Sequence, residues 1–143
     1  MKTNKYLAYK EVMNKEILRE DVEIFAKRFE LYESLRNKTF LITGTTGLIG
    51  SVFTKCLVEL NRLHQLDIRI IAVVRNARKT EQLFADEWSE IDIRQLELNE
   101  ITRDSIGCTV DYIVHLVSPT ASKYFVENPV ETLQTIFDGT RSV

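Results

Sequence analysis

The feature that most constrains this chain is a run of three glycines spaced three residues apart: Gly44, Gly47 and Gly50. They lie in LITGTTGLIGSVF, residues 41–53, between a short apolar segment and a stretch with helical character. A chain that leaves a buried strand and reverses sharply into a helix needs positive φ angles, which glycine adopts without a side-chain clash. The pattern therefore predicts a strand, a glycine turn and a helix, with main-chain amides open to an anion.

Each of the three glycines has a predicted structural role in that turn. We expect Gly44 to take the positive φ, Gly47 to let backbone amides approach a diphosphate, and Gly50 to let the helix lie against the sheet. No Gly-Lys-Ser/Thr follows, so the turn is not the phosphate loop of nucleoside triphosphatases. Nucleotide binding is the prediction, and a purely structural glycine turn is the alternative.

The remaining sequence alternates between predicted strands and helices. Strands are predicted at 39–43, 68–75, 91–98 and 111–118, and helices at 48–63, at 77–88, briefly after 98, and from Pro129 toward Gly139. This order predicts an α/β fold: the N-terminal half, about four strands, of a Rossmann-like doubly wound parallel sheet. Right-handed crossovers then place the glycine turn at the carboxyl edge, where such sheets bind ligands.

An amphipathic helix is predicted to precede the sheet, at residues 17–35. Its apolar residues recur at intervals of four and three, the period of one helical face. We expect this face to pack on its own domain or on a second copy. The chain is therefore divided into a helical extension, 1–37, and a nucleotide-binding domain, 38–143. The stripe consists of Leu18, Val22, Phe25, Phe29, Tyr32 and Leu35, widened by Ile17, Ile24 and Leu31.

Composition excludes several classes of function. The chain has 143 residues, 44% of them hydrophobic, and a formal net charge of -2, which provides no basic field for nucleic acid. No apolar run approaches the roughly 20 residues of a bilayer span, and the N-terminus lacks the apolar stretch of a secretory signal. We therefore expect a cytoplasmic protein without membrane contact. Cys56 and Cys108 lack metal-site spacing, which predicts two inert, partly buried thiols and no metal.

The residue at the end of the second predicted strand bears on the choice of dinucleotide. An acidic residue there accepts hydrogen bonds from the adenosine ribose, whereas an arginine suits a 2'-phosphate. Arg75 occupies the position, with Arg78 and Lys79 close behind. NADP is therefore favoured over NAD, although charges at the start of a surface helix explain Arg78 and Lys79 equally well.

Three segments together resemble a known family. TFLITGTTGLIGS, DYIVHLVSPTAS and NPVETLQTIFDGT match, in order and spacing, the extended short-chain dehydrogenase/reductases, the NAD-dependent epimerase/dehydratase family of nucleotide-sugar enzymes. The resemblance covers residues 38–143. Within the family the chain looks most like sugar-nucleotide decarboxylases and dehydratases.

The resemblance implies a set of coenzyme-binding residues. Amides around Thr45, Thr46, Leu48 and Ile49 would hold the pyrophosphate. At the end of the third strand, Glu97 and Leu98 would flank the adenine, where the family usually has aspartate first. The path from ribose to nicotinamide would be lined by Leu116, Val117 and Ser118. His115 is expected to be a satisfied structural histidine, and His64 to be solvated at a helix end.

The catalytic residues of the family are expected to be absent. Family members use a tyrosine and a lysine four residues later, after the fifth strand, and the chain is expected to stop before them. Tyr6 and Lys10 have this spacing but precede the glycine turn, so we interpret them as coincidence. Ile136 stands where the family carries a supporting asparagine.

These observations favour the coenzyme-binding part of a nucleotide-sugar epimerase, dehydratase or decarboxylase, inactive by itself. The nucleotide sugar would bind only to the full-length parent. A naturally short dinucleotide sensor and a helix-mediated assembly module are the alternatives. Since the strand at 111–118 is predicted to be a long unpaired edge, we also predict a homo-oligomer.

Overall fold

The computed structural model of the chain describes residues 2–118 and 122–143, with side chains from residue 14 onward except at 122 and 135. These residues form a four-stranded sheet of order β3-β2-β1-β4, in which every pairing is parallel. The strands are β1 Thr39–Thr43, β2 Arg69–Val74, β3 Asp92–Gln95 and β4 Tyr112–His115. The helices are α1 Lys2–Arg28, α2 Leu48–His64, α3 Ala77–Leu83, α4 Arg103–Ile106, α5 Ser122–Glu127 and α6 Pro129–Ser142.

The predicted Rossmann-like parallel sheet is confirmed. β1 has the predicted bounds, and Pro129 begins α6 as expected. The outer strands are shorter than predicted: β4 has four residues, Tyr112–His115, instead of spanning 111–118. Each outer strand pairs with one neighbour only, so its ends lack the second ladder that fixes a central strand. α3 also ends earlier than predicted, at Leu83.

One face of the sheet carries the larger core. β1 and β2 direct alternate side chains to opposite faces, which is the period of a strand. The face that includes Phe40 and Ile42 is covered by α2, and Ala26 of α1 belongs to the same cluster. The opposite face, which includes Leu41, Ile71 and Val73, is covered more thinly. The residues that pack there include Ile106, Leu96, Ile101, Cys108, Val110 and Val143.

The N-terminal helix differs from its prediction in extent and in the face that it buries. α1 ends at Arg28, and a separate 3₁₀ turn follows at Tyr32–Leu35. Val22 and Ala26 are buried, but the residues expected to widen the stripe are exposed: Ile17 by 51%, Ile24 by 45% and Leu31 by 69%. The prediction of a wide apolar stripe is therefore wrong, because only a narrow strip of α1 contacts α2.

His64 also differs from its prediction. The residue is half-buried instead of solvated. Its ring stacks on Tyr32, with ring centroids 3.7 Å apart and planes 7° apart. Its Nε2 donates to the Ala26 carbonyl oxygen at 3.1 Å. His64 therefore joins the end of α2 to the end of α1 and to the turn that follows.

A buried ion pair lies beside α2, away from the sheet edge. Lys55 Nζ donates to Glu87 Oε2 at 2.6 Å, with both side chains largely buried, and lies 5.1 Å from the centroid of the Phe84 ring. Arg62 pairs with Glu90 nearby. Together these contacts connect α2 to the segment after α3. None of the described helices combines the length and apolarity needed to cross a bilayer.

Candidate functional site

The glycine turn lies at the carboxyl edge of the sheet, where the strand order reverses. The chain passes from β1 to β2 and β3 on one side, and then crosses to β4 on the other side of β1. β1 and β4 therefore border a topological switch point, the place where open α/β sheets bind ligands. The turn that follows β1 opens at this point.

Gly44 places the turn against the chain that leaves β4. It has a φ of +74°, as predicted. A Cβ built at this position would lie 2.7 Å from the Leu116 carbonyl carbon and 3.0 Å from the Val117 nitrogen. Because both contacts are with backbone, no side-chain movement could relieve them. The structure therefore brings together two predicted site segments that are about seventy residues apart in the sequence.

Gly50 packs on the turn itself. A Cβ at this position would overlap the Gly44 carbonyl oxygen and lie 2.8 Å from the Gly44 carbonyl carbon. The sequence prediction assigned Gly50 to contact between helix and sheet, but the closest contact is with the residue that follows β1. The glycine is needed because the first turn of α2 folds directly over the Gly44 peptide.

Gly47 begins α2 without a side-chain cap. Its φ and ψ are −79° and 170°, and its N–H donates to the Gly44 carbonyl oxygen at 3.0 Å. The first amides of a helix have no partner within the helix, and glycine offers no side-chain oxygen to accept from them. The adjoining residues Leu48 and Ile49 are 85% and 70% exposed. The positive end of a helix of 17 residues is therefore open at this edge.

The two threonines of the turn differ in burial. Thr45 is fully buried, and its Oγ1 has no hydrogen-bond partner within residues 2–118 and 122–143. Thr46 is half-buried. The six predicted residues from Gly44 to Ile49 thus form one continuous turn, with an unsatisfied hydroxyl beneath it. This combination fits an anionic group held mainly by backbone donors.

Arg75 follows β2 directly at the same edge. The residue is exposed, and no described group forms a hydrogen bond or an ion pair with its guanidinium. The neighbouring Asn76 caps α3, since its Oδ1 accepts from the Lys79 N–H at 3.0 Å. The sequence reasoning missed this cap, although asparagine before a helical segment is its usual signal. The guanidinium of Arg75 is therefore available to a ligand.

Glu97 and Leu98 do not lie at the end of a strand as predicted, because β3 ends at Gln95. Glu97 begins a 3₁₀ turn, and the Glu97 N–H donates to Glu100 Oε2 at 2.8 Å in a reciprocal cap. Leu98 packs under α6, with its Cδ1 3.2 Å from the position of a Cβ on Gly139. The carboxylate of Glu97 thus stabilises its own turn.

The segment after β4 lies beside the glycine turn. The Leu116 N–H donates to the Thr43 carbonyl oxygen at 3.2 Å, which continues the β1–β4 pairing by one residue. Leu116 and Val117 are half-buried, and Ser118 is exposed. These residues therefore reach the same edge as the turn, where the sequence reasoning expected them.

His115, the last residue of β4, is only partly satisfied. Its Nδ1 lies 2.7 Å from Thr43 Oγ1, but its buried Nε2 has no partner among the described residues. Burial lowers the pKa of His115. The prediction of a fully satisfied structural histidine is therefore right for one ring nitrogen and wrong for the other.

Two other sequence expectations concern catalysis and metals. The backbone of Tyr6 and Lys10 lies in α1, but their side chains are outside the described ones. Within the described residues, no three side chains of metal-ligating type come together. Both cysteines are free and partly buried, and burial raises the pKa of the Cys56 thiol.

In the described part of the chain, two clefts lie beside α1, and the smaller of them reaches the start of α2. The larger has a volume of about 500 Å³ between α1, α2 and the segment after α3, and its walls carry paired charges such as Lys55 and Glu87. The smaller, about 380 Å³, is an apolar groove between Phe25 of α1 and the first turns of α2. The lining of the smaller groove includes Leu48 and Ile49, so this groove borders the residues predicted to hold the pyrophosphate.

A parallel sheet with an uncapped glycine turn at its switch point defines a Rossmann-like domain of the kind that binds dinucleotides. More specifically, the chain belongs to the NAD-dependent epimerase/dehydratase family, whose model matches residues 40–143. The resemblance seen in the sequence is thereby confirmed.

Curated relatives include UDP-glucuronic acid decarboxylase 1 of Danio rerio and of Xenopus tropicalis. Each is 30% identical over 103 residues, which cover 72% of this chain and 23% of the relative. The matched region thus spans about a quarter of the length of these relatives. Among solved structures, a UDP-glucuronic acid 4-epimerase from Bacillus cereus in complex with NAD is similar, with 19% identity and a TM-score of 0.46. That match covers 73% of this chain and 36% of the other.

Proposed function

We propose that this chain binds NAD or NADP at the glycine turn and forms the coenzyme-binding part of a nucleotide-sugar epimerase, dehydratase or decarboxylase. Residues 38–143 would be the binding unit, and residues 1–37 a helical extension packed against it. The observation that carries the proposal is the open start of α2 at the switch point, next to Leu116 and Val117. Family membership supports it.

The proposed contacts follow from the placement of each segment. Backbone amides from Thr45 to Ile49 would hold the pyrophosphate, since they lie at the positive end of α2. Segment 116–118, which lies against Gly44, would line the path from ribose to nicotinamide. Glu97 and Leu98 would flank the adenine. The bound coenzyme would accept a hydride from the sugar and later return it.

Turnover is not expected from these 143 residues alone. In the family, a tyrosine and a lysine four residues later assist the transient oxidation of a sugar carbon. In this sequence that spacing occurs only at Tyr6 and Lys10, on α1. We therefore propose coenzyme binding without catalysis for this chain, with the nucleotide sugar as substrate of the whole enzyme.

We also propose self-association through the uncovered side of the sheet. β4 is an edge strand, and its Tyr112 and Ile113 are 42% and 52% exposed. α6 exposes apolar residues at helical spacing, including Leu133 and Phe137. Exposed strand edges and apolar patches favour pairing between chains. Light scattering at high concentration should give a mass above 16.6 kDa, and a monomeric mass would contradict the proposal.

The preference for NADP is the finer part of the proposal, and it depends on Arg75. A free guanidinium beside the adenosine ribose would form charge-assisted hydrogen bonds with a 2'-phosphate. Calorimetric titration should show that Arg75→Glu weakens NADP⁺ binding by about tenfold more than NAD⁺ binding, equivalent to roughly 1.4 kcal/mol.

The matched control for that experiment is Arg103→Glu, the same charge change at an exposed residue of α4. It should leave the ratio of the two affinities unchanged, because the substitution alters only the net charge. If Arg75→Glu and Arg103→Glu changed the ratio equally, or not at all, the NADP preference would have to be withdrawn.

A further inference from the structure

A buried polar contact at the carboxyl edge is not used by the proposed coenzyme contacts. Thr43 and His115 are directly paired residues of β1 and β4, and Thr43 Oγ1 lies 2.7 Å from His115 Nδ1. Thr43 is fully buried. The other ring nitrogen, His115 Nε2, is also buried and has no partner among the described residues. Such an unpaired group is uncommon in a protein interior.

This contact lies between the three segments proposed to hold the coenzyme. Thr43 precedes Gly44, and His115 precedes Leu116. On the far side, a Cβ on Gly139 of α6 would lie 3.4 Å from His115 Nε2 and 3.2 Å from Leu98 Cδ1. The imidazole therefore contacts β1 on one side and α6 on the other, next to all three segments.

We propose that Thr43 and His115 are a positioning pair for the coenzyme, and that the neutral imidazole holds the glycine turn and residues 116–118 in the binding arrangement. This inference rests on the proposed function. A neutral imidazole has one donor and one acceptor, and a hydroxyl can complement either at Nδ1. Protonation makes both ring nitrogens donors, which places an unmatched, charged N–H against α6. Burying such a group is unfavourable.

Among the described residues, no charged group is a cause of the pKa shift of His115. Burial alone lowers the pKa of His115. Thr43, which faces it from β1, is neutral. The charged or titratable residues on the adjoining elements are all exposed: Tyr112 on β4, Glu97 and Glu100 on the turn after β3, and Glu131, Asp138 and Arg141 on α6.

The proposal predicts that acidification weakens coenzyme binding. By linkage, if only the neutral form supports binding, coenzyme lowers the pKa of His115 further and acid opposes binding. Calorimetric titration of the whole chain with NAD⁺ should give a constant affinity from about pH 8 to about pH 7. Below the pKa of the imidazole the affinity should fall by up to about tenfold per pH unit, the limit for one proton.

A second readout does not depend on affinity. The imidazole resonances of His115, followed by nuclear magnetic resonance through the same pH range, should titrate at lower pH when NAD⁺ is saturating. The other histidine, His64, lies at the far end of α2 and supplies an internal reference in the same spectra. At constant pH, its resonances should not move when NAD⁺ is added.

Variants separate positioning from a general structural role. His115→Asn keeps a polar group near the Nδ1 position and cannot titrate, so acid weakening of NAD⁺ binding should disappear. Thr43→Val removes the hydroxyl at nearly constant volume and should weaken binding over the whole pH range. His64→Asn, the matched control, should retain the acid weakening of the wild type. Circular dichroism establishes that each variant is folded.

The outcomes distinguish this inference from the function on which it rests. If the folded wild-type chain does not bind NAD⁺ at any pH, both fail. If the affinity for NAD⁺ does not change across the pH range in which His115 of the free chain titrates, the positioning pair alone is overturned. The same conclusion follows if His115→Asn keeps the full acid weakening, or if NAD⁺ leaves the titration of His115 unchanged.

Discussion

At Gly44 and Gly50 the absence of a side chain shapes the site through backbone contacts. Gly44 lies against the Leu116 peptide, and Gly50 lies against the Gly44 peptide. Three main-chain segments therefore stack at the end of β1 without an intervening side chain. The first amides of α2 are kept close to the segment that leaves β4, which is the arrangement that a bridging diphosphate requires.

Gly50→Ala should destabilise the protein far more than Gly47→Ala. The added methyl group at position 50 overlaps the Gly44 peptide, whereas at position 47 its nearest neighbour is the Gly44 carbonyl oxygen at 3.2 Å. Overpacking against backbone costs about 1–3 kcal/mol, and losing a glycine cap costs about 1 kcal/mol or less. Urea unfolding measures both. If the two variants had the same free energy of unfolding, α2 would not pack tightly against the turn in solution.

The conformation of a single residue could be predicted from sequence where it depends only on the residue type and its neighbours in the chain. The positive φ of Gly44 follows from glycine at the end of an apolar run, so it could be predicted. The contact between Thr43 and His115 depends on strand register, which joins residues 72 apart in the sequence. The reciprocal cap of Glu97 and Glu100 depends on where β3 ends. Neither the contact nor the cap could be predicted from the neighbouring residues alone, because both depend on how the chain folds.

At the scale of elements, α1 and α2 form one layer over the larger core. Ala26 is fully buried and belongs to the cluster that contains Phe40 and Leu57. His64 and Tyr32 stack where the two helices end. The last turns of α1 are therefore part of the core that supports β1, and the site depends on them through that strand.

Ala26→Asp should destabilise the protein by at least about 3 kcal/mol, because it buries a carboxylate without a partner. Ile24→Asp introduces the same side chain on the exposed side of α1, where Ile24 is 45% exposed. That control should change the free energy of unfolding by only about 0.5 kcal/mol. Thermal or urea unfolding measures the difference. Equal effects of the two substitutions would indicate that α1 is detached in solution.

Elements with a strong apolar pattern were predicted best. β1 and α2 were predicted to within a residue, because the glycine turn separates them and both contribute to the core. α5 and the first half of α1 were missed. The mean hydropathy of α1 is low, so its residues form only a weak apolar pattern for a helix of this length. β3 and β4 were predicted too long, since apolar residues continue into loops beyond their ends.

The whole molecule has a covered side and an open side. α1 and α2 cover the face of the sheet that includes Phe40, whereas β4, α5 and α6 expose apolar side chains on the other side of the switch point. The sequence could predict the parallel sheet and its carboxyl edge from the alternation of elements. It could not predict that Leu98 and His115 would both lie against Gly139 of α6, because that depends on how the segments after β3 and β4 pack against this helix.

The proposed function depends above all on backbone amides at the start of α2, which would capture the diphosphate of NAD or NADP. The most direct measurement is a titration of the ¹⁵N-labelled chain with NAD⁺, followed residue by residue through its amide resonances. We expect saturable shifts that are largest for Gly44 to Ile49 and for Leu116 to Ser118. Absence of shifts at about millimolar NAD⁺ in the folded chain, or shifts confined to the larger cleft between α1, α2 and the segment after α3, would contradict diphosphate binding at this turn.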